Sequence, residues 1–301
     1  MAKKIFVSHG DIILDKIYNG DLEFIKQDGG GCNWNDLYNL SLMGETCYAF
    51  GTAGNDEEGK VAISSLKRAN VDTSYIEIEE KSTNIMNIII PNSTLNDNTV
   101  IHSWYSPITN KFTMNFSENL PKKLPDSLQN NEVYLILDKF LPVNLEFLES
   151  IQNRKVCLDI GHIRFFEHFT RQYLLNFFRN ADYVQLNDSV TYLLFERLDV
   201  KDEAELFELL DLKLLVLTKG KKGAIFFFRD NNYNIVSILK KPEIVVNATD
   251  TSGAGDAFFS MVVREFAYAD KIDEFFVDNT FSLANAASRD VLANLGSRKT
   301  T

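Results

Sequence analysis

Asn247–Val263, NATDTSGAGDAFFSMVV, is the stretch from which the rest of the chain is read. Within it, Asp250-Thr251-Ser252-Gly253-Ala254-Gly255-Asp256 sets three residues with little or no side chain directly before Ala257–Phe266, whose apolar residues suit a buried helix. The first N–H groups of a helix have no partner inside it, and the macrodipole adds about half a positive charge at that end. Phosphate oxygens suit such a place. Gly253 and Gly255 allow a ligand to approach the backbone closely and tolerate positive φ. Asp256 stands where the helix begins, facing the same pocket. A carboxylate alone there acts as a cap or dipole partner, at about 0.3–1 kcal/mol.

Upstream, Gly223–Phe228 and Tyr233–Leu239 read as a hairpin, in which consecutive Phe226, Phe227 and Phe228 call for burial on both faces. Before it, apolar strands at Val133–Leu137, Lys155–Asp159, Asp182–Gln185 and Lys213–Thr218 alternate with helices near Val143–Ile151, Tyr173–Phe178, Asp188–Arg197 and Glu203–Leu210. That alternation predicts a mainly parallel sheet covered on both faces, with ligands at the carboxyl ends of its strands. Towards the start, Ile5–His9 is a first strand. Ile13–Tyr18 and Leu22–Lys26 flank the turn Asn19-Gly20 and suit a small separate sheet. A loop Asp28–Gly31 opens a helix Asn33–Met43 with Trp34, Leu37, Leu40 and Leu42 on its apolar side; Thr46–Phe50 is a strand and Asn55–Ala69 a helix. Thr83–Ile90 and Thr99–Trp104 form a second strand pair. Gly54…Gly59-Lys60 has P-loop spacing but continues into Val61, and its three acids would repel phosphate, so it is rejected as one.

With 301 residues and 45% hydrophobic content the chain can bury a large core, and no linker divides it, so a single domain 1–301 is expected. Net charge is −11, from 31 basic against 42 acidic residues, which excludes a nucleic-acid surface or an anionic membrane as main partner. Cys32, Cys47 and Cys157 are scattered, and the N-terminal apolar run is too brief for a signal peptide. A reduced cytoplasmic setting is expected.

The spacing D-T-x-G-A-G-D resembles the signature of the ribokinase-like (PfkB) carbohydrate kinases. That resemblance implies a ribokinase-like α/β fold, with a mainly parallel central sheet, helices on both faces and a small β-sheet lid built from segments near 12–28 and 83–105. It also implies ATP-dependent phosphorylation of a hydroxymethyl group on a sugar or sugar-like substrate, with Asp256 as base and the amides of Gly253, Ala254 and Gly255 as anion hole. Further segments extend the likeness. Gly10-Asp11…Asp15 resembles the first sugar contact, Asp15 being the better match and Asp11 the second. Gly30-Gly31-Cys32-Asn33-Trp34-Asn35 resembles G-G-x-x-x-N, which carries substrate roles to Gly30, Gly31 and Asn35, and Gly51, Gly54, Asp56 and Gly59 resemble a scaffold turn. A faint D-x-N-x-R likeness gives Arg164 a substrate role. On the nucleotide side the resemblance implies Asn187, Thr218, Gly220 and Asn285, and it sets Asp250 and Ser252 beside a monovalent cation, K+. Mg2+ accompanies ATP in the family, but Val190 stands where N-x-x-E has its glutamate, so magnesium is expected to be held less well. Pairing of lids implies a homodimer. A nucleoside kinase of the same family, or a catalytically impaired sugar- or nucleotide-sensing protein, remain the alternatives.

Overall fold

The computed structural model describes all residues except 1, 93–99, 116, 118, 139–141, 162–168, 245–249, 294–295 and 299–301. Arg164, His162 and His168 lie outside the described residues. In chain order the elements are β1 (Lys4–Asp11), β2 (Ile13–Asn19), β3 (Phe24–Gly30), α1 (Cys32–Leu42), β4 (Cys47–Gly54), α2 (Glu57–Arg68), β5 (Asp72–Glu79), β6 (Asn84–Ile90) and β7 (Ile101–Ser103). There follow β8 (Glu132–Leu137), α3 (Pro142–Glu149), β9 (Arg154–Ile160), α4 (Arg171–Phe178), β10 (Tyr183–Asn187), α5 (Asp188–Leu198), α6 (Glu203–Leu210), β11 (Leu214–Thr218), β12 (Ala224–Arg229), β13 (Ile235–Lys240), α7 (Ala254–Tyr268) and α8 (Glu274–Leu292).

Among the described residues, nine strands form the main sheet in the order β13-β12-β11-β10-β9-β8-β1-β4-β5. Seven run parallel, and the hairpin β12–β13 closes one edge antiparallel. The chain starts in the interior of this sheet, runs outward through β4 and β5, then returns to the other side of β1 and proceeds outward from β8. Such a reversal opens a crevice at the carboxyl ends of the central strands. Leu174, Phe177, Leu194 and Phe207 cover one face, while Trp34, Leu37, Phe259, Val263 and Phe281 cover the other. Alternation along β12 sends Phe227 to the first layer and Phe226 and Phe228 to the second, as three consecutive apolar strand residues require.

A second sheet, ordered β3-β2-β6-β7, stands apart with its own apolar patch of Ile17, Ile88, Ile90 and Val100. Its central pair β2–β6 is parallel and the outer pairs antiparallel. Two local expectations need correction, and one strand lies outside those expected. Asp28–Gly30 belongs to β3 instead of a loop, because Gly29 and Gly30 pair with Leu14 and Ile13. Leu42 is 43% exposed at the end of α1, outside the apolar face. The edge strand β5 was missed; its DTSYIEIE is half polar, and Ile78 points to solvent. No helix among the described residues is long and apolar enough to cross a membrane.

Candidate active site

α1 and α7 deliver the two side chains around which the site is assembled. Gly31, at φ 87°, turns the chain from β3 into α1 and sets Asn35 in its first turns. From there Asn35 Nδ2 donates to Asp256 Oδ2 at 2.7 Å. Asp256, in the first turn of α7, is 8% exposed. Asp15 arrives on β2, and its Oδ2 accepts from Ser297 Oγ at 3.0 Å. Gly30 packs so closely on that carboxyl that a Cβ there would fall 1.9 Å from it. Asp15, Gly30, Gly31, Asn35 and Asp256 are thus brought together. Asp11 is engaged elsewhere: its Oδ1 accepts from Thr52 Oγ1 at 2.9 Å, Lys81 Nζ at 2.7 Å and the Ser117 amide at 3.2 Å.

Burial dominates the electrostatics. It pushes the Asp256 carboxyl up to about 6; the charge of Asp138 adds to this, and the Asn35 hydrogen bond opposes it. Asp15 is raised to about 7 by burial, against the pull of Ser297 and Arg298. Ligand oxygens of Asp36, Asp159 and Asp256 lie within 4.8 Å of one another, a spacing that a cation can bridge. Gln185 Nε2 donates to Asp159 Oδ1 at 3.2 Å and Ser260 Oγ to Asp36 Oδ1 at 3.3 Å, while Asp36 Oδ2 has no hydrogen-bond partner among the described residues. Burial, then neighbouring carboxylates, drive Asp36 and Asp159 well above the ordinary range. Like charges this close in a dry site cannot all ionise. Burial and mutual repulsion therefore raise all three carboxyls together.

Gly253 precedes α7 at φ 78°, and a Cβ there would stand 2.4 Å from the Ser297 carbonyl oxygen, so glycine is required on both counts. A Cβ on exposed Gly255 would meet nothing within 4 Å. The Ala254 amide reaches only Thr251 O, at 3.4 Å, and no acceptor among the described residues meets the Gly255 amide. These N–H groups are therefore available to an anion. Asp250 anchors the preceding loop: Oδ1 accepts from the Ser252 amide at 2.8 Å and Oδ2 from the Gly296 amide at 2.7 Å. Both oxygens of this carboxylate already carry amide donors without any ion.

Asn187 and Thr218 end β10 and β11 and are register partners, so they share the carboxyl rim of the sheet. Asn187 Oδ1 caps α5 through the Val190 amide at 3.0 Å, and its Nδ2 donates to Gly161 O at 2.9 Å. Thr218 Oγ1 donates to Leu186 O at 3.3 Å, and Gly220 is exposed in the next turn. Asn285 is half-buried on α8, which is fastened to the start of α7 by Ser288 Oγ donating to Ala254 O at 2.8 Å. Val190 is fully buried in the core with Leu194 and Leu198, and Asp188 is paired with Lys219 at 2.9 Å. The motif thus presents magnesium with only a neutralised carboxylate, and its residues do not fit the ion.

Sequence reasoning missed Asp36, Gln185, Ser297 and Arg298. Asp36 stood inside an expected helix, and nothing in the sequence ties 297–298 to α1. The pattern of the pfkB family carbohydrate kinases matches residues 21–289. Fructokinase-2 of Oryza sativa subsp. japonica is 22% identical over 282 residues, covering 89% of this chain and 81% of its own. Among solved structures, the adenosine kinase of Sinorhizobium meliloti superposes with a TM-score of 0.76 at 16% identity, covering 100% and 96% of the two chains. The fructokinase of Vibrio cholerae O395, in fructose-, ADP- and calcium-bound form, gives 0.70 at 17% identity, covering 98% and 94%.

Proposed function

The chain belongs to the pfkB family of carbohydrate kinases, and from that premise we propose that it moves the terminal phosphoryl group of ATP to a hydroxymethyl group of a sugar or sugar-like substrate. One observation carries this: Asp256, buried and held by Asn35 at 2.7 Å, stands one residue after a Gly255 whose amide has no acceptor among the described residues. In that arrangement Asp256 takes the proton of the attacking hydroxyl. The new O–P bond forms as the bond to the leaving ADP breaks. The Gly253–Gly255 amides meet the charge on the migrating phosphoryl oxygens. A positioned base contributes ~10²–10⁴-fold, and the remainder of phosphoryl transfer is positioning and charge stabilisation.

Asp15 and Asn35 orient the substrate, and Asn187, Thr218, Gly220 and Asn285 border the nucleotide. The small sheet acts as a lid that excludes water and suppresses ATP hydrolysis. Its outer strands expose Phe24, Ile25 and Ile101, apolar edges suited to pairing with a second copy. A nucleoside substrate fits the same chemistry. The buried Val190 favours one further reading, a sugar- or nucleotide-sensing binder with impaired turnover. ADP production measured over a panel of sugars and nucleosides, with Asp256→Asn as control and ATP binding followed by calorimetry, separates these. Turnover that falls ~10²–10⁴-fold in the variant with ATP affinity retained supports the kinase. No turnover of any compound by the unaltered protein supports the sensor.

A further inference from the structure

We propose that Arg298 is a positioning residue for phosphoryl transfer, fixing through Asn35 the orientation of the Asp256 carboxylate; this rests on the role assigned above to Asp256. Arg298 follows α8 and is 3% exposed. Its Nε donates to Asn35 Oδ1 at 2.9 Å and its Nη1 to Ser65 Oγ at 2.6 Å, which joins α1 to α2. The guanidinium lies 4.9 Å from the Tyr38 ring centroid, and Nη1 sits where a Cβ on Gly29 would fall, at 2.1 Å. It is therefore wedged under β3 at the edge of the Asn35 amide opposite Asp256.

A guanidinium can only donate. The amide edge facing Arg298 must therefore be oxygen, and the NH2 edge is turned to Asp256, where it donates at 2.7 Å. An amide free of this constraint could rotate and present an oxygen to the carboxylate, which would repel it. Asp28 and Asp15 supply the countercharge, yet burial still lowers the guanidinium to about 10. A merely space-filling side chain would do as well without that desolvation cost. The neighbouring Ser297 acts in parallel, since its Oγ donates to Asp15 Oδ2 at 3.0 Å. Two adjacent residues thus hold both side chains assigned to the substrate.

The test compares Arg298→Met, Arg298→Lys, Asn35→Ala and the double variant Arg298→Met/Asn35→Ala, each checked for folding by circular dichroism. On the best substrate of the panel, Arg298→Met is expected to lower kcat by ~10²-fold with KM for ATP unchanged. The double variant should be no slower than Asn35→Ala alone, because Arg298 acts through that residue. Independently of turnover, carbon-13 NMR titration of the Asp256 carboxyl should show its midpoint rising from about 6 in both Arg298→Met and Arg298→Lys. The titratable groups facing Asp256 are Asp15 on β2, Cys32 and Asp36 from α1, Asp138 after β8, Asp159 on β9 and Arg298 itself. Arg298→Lys retains the charge, so a shift in both variants reports orientation. Should Arg298→Met not fold, Ser65→Ala removes one guanidinium contact and should lower kcat in the same direction by less. Unchanged or increased kcat in Arg298→Met, an additive loss in the double variant, or an unmoved midpoint would each overturn the proposal. If the unaltered protein phosphorylates nothing, the functional reading fails, and the carboxyl titration still decides the positioning role.

Discussion

On one side of the cleft, Asp15, Asn35 and Asp256 are each less than a tenth exposed and interlocked with Ser297 and Arg298. On the other, Asn187, Thr218 and Gly220 are half-buried or exposed, and the side chains of Asn187 and Thr218 cap or bond nearby backbone. The contrast matches what each side is proposed to handle. In the proposed role of base, Asp256 must hold and release a proton and gains from desolvation, which raises it towards neutrality, but a desolvated carboxylate needs donors fixed around it. The side proposed for the nucleotide offers strand ends and exposed turns, and that role requires no buried charge of its own. Damage should therefore be severe and coupled on the first side, mild and local on the second.

The largest effect expected is from Asn35→Ala, which strips a partner from both Asp256 and Arg298. Each unsatisfied buried group costs about 1–3 kcal/mol, so urea denaturation should show a large loss of stability together with a loss of turnover. Next comes Gly253→Ala: an L-residue in the left-handed region costs about 1–2 kcal/mol before its clash with Ser297, whereas Gly255→Ala has open space. Thermal melting should separate that pair clearly. A smaller effect of opposite sign is expected from Asp36→Asn. Because the folded-state carboxyl is raised, the folded protein binds the proton more tightly, and Asp36 destabilises the fold increasingly as pH rises above the ordinary carboxylate value of about 4. Asp36→Asn should then melt higher than the unaltered protein at pH 8, with the difference vanishing near pH 4. Least affected is Thr218→Ala, within about 0.5 kcal/mol in stability and with a change confined to KM for ATP.

The main sheet was legible because its buried parallel strands are continuous apolar runs between helices, and because the three phenylalanines of β12 could be satisfied only by burial on both faces. β5 was not, since a half-polar edge strand satisfies no such pattern. In the site, Asp256 and its glycines were legible as a local signal in which a chain reversal, a helix start and a carboxylate coincide within seven residues. Asn35 could be anticipated only through its likeness to a family motif. Arg298 could not be anticipated at all: its bonds to Asn35 and Ser65 span 263 and 233 residues, and only the folded chain brings them together. Val190 was legible as a missing carboxylate, but its burial in the core was not.

The most direct measurement of Asp256 as the base is the pH dependence of kcat/KM for ADP release with the best substrate of the panel. The free carboxyl, facing Asp15, Cys32, Asp36, Asp138, Asp159 and Arg298 and raised by burial to about 6, must be ionised to accept a proton. The rate should accordingly fall about tenfold per pH unit below roughly 6, a limb absent from any residual activity of Asp256→Asn. A rate constant down to pH 4, or the same acidic limb persisting in Asp256→Asn, would contradict the account.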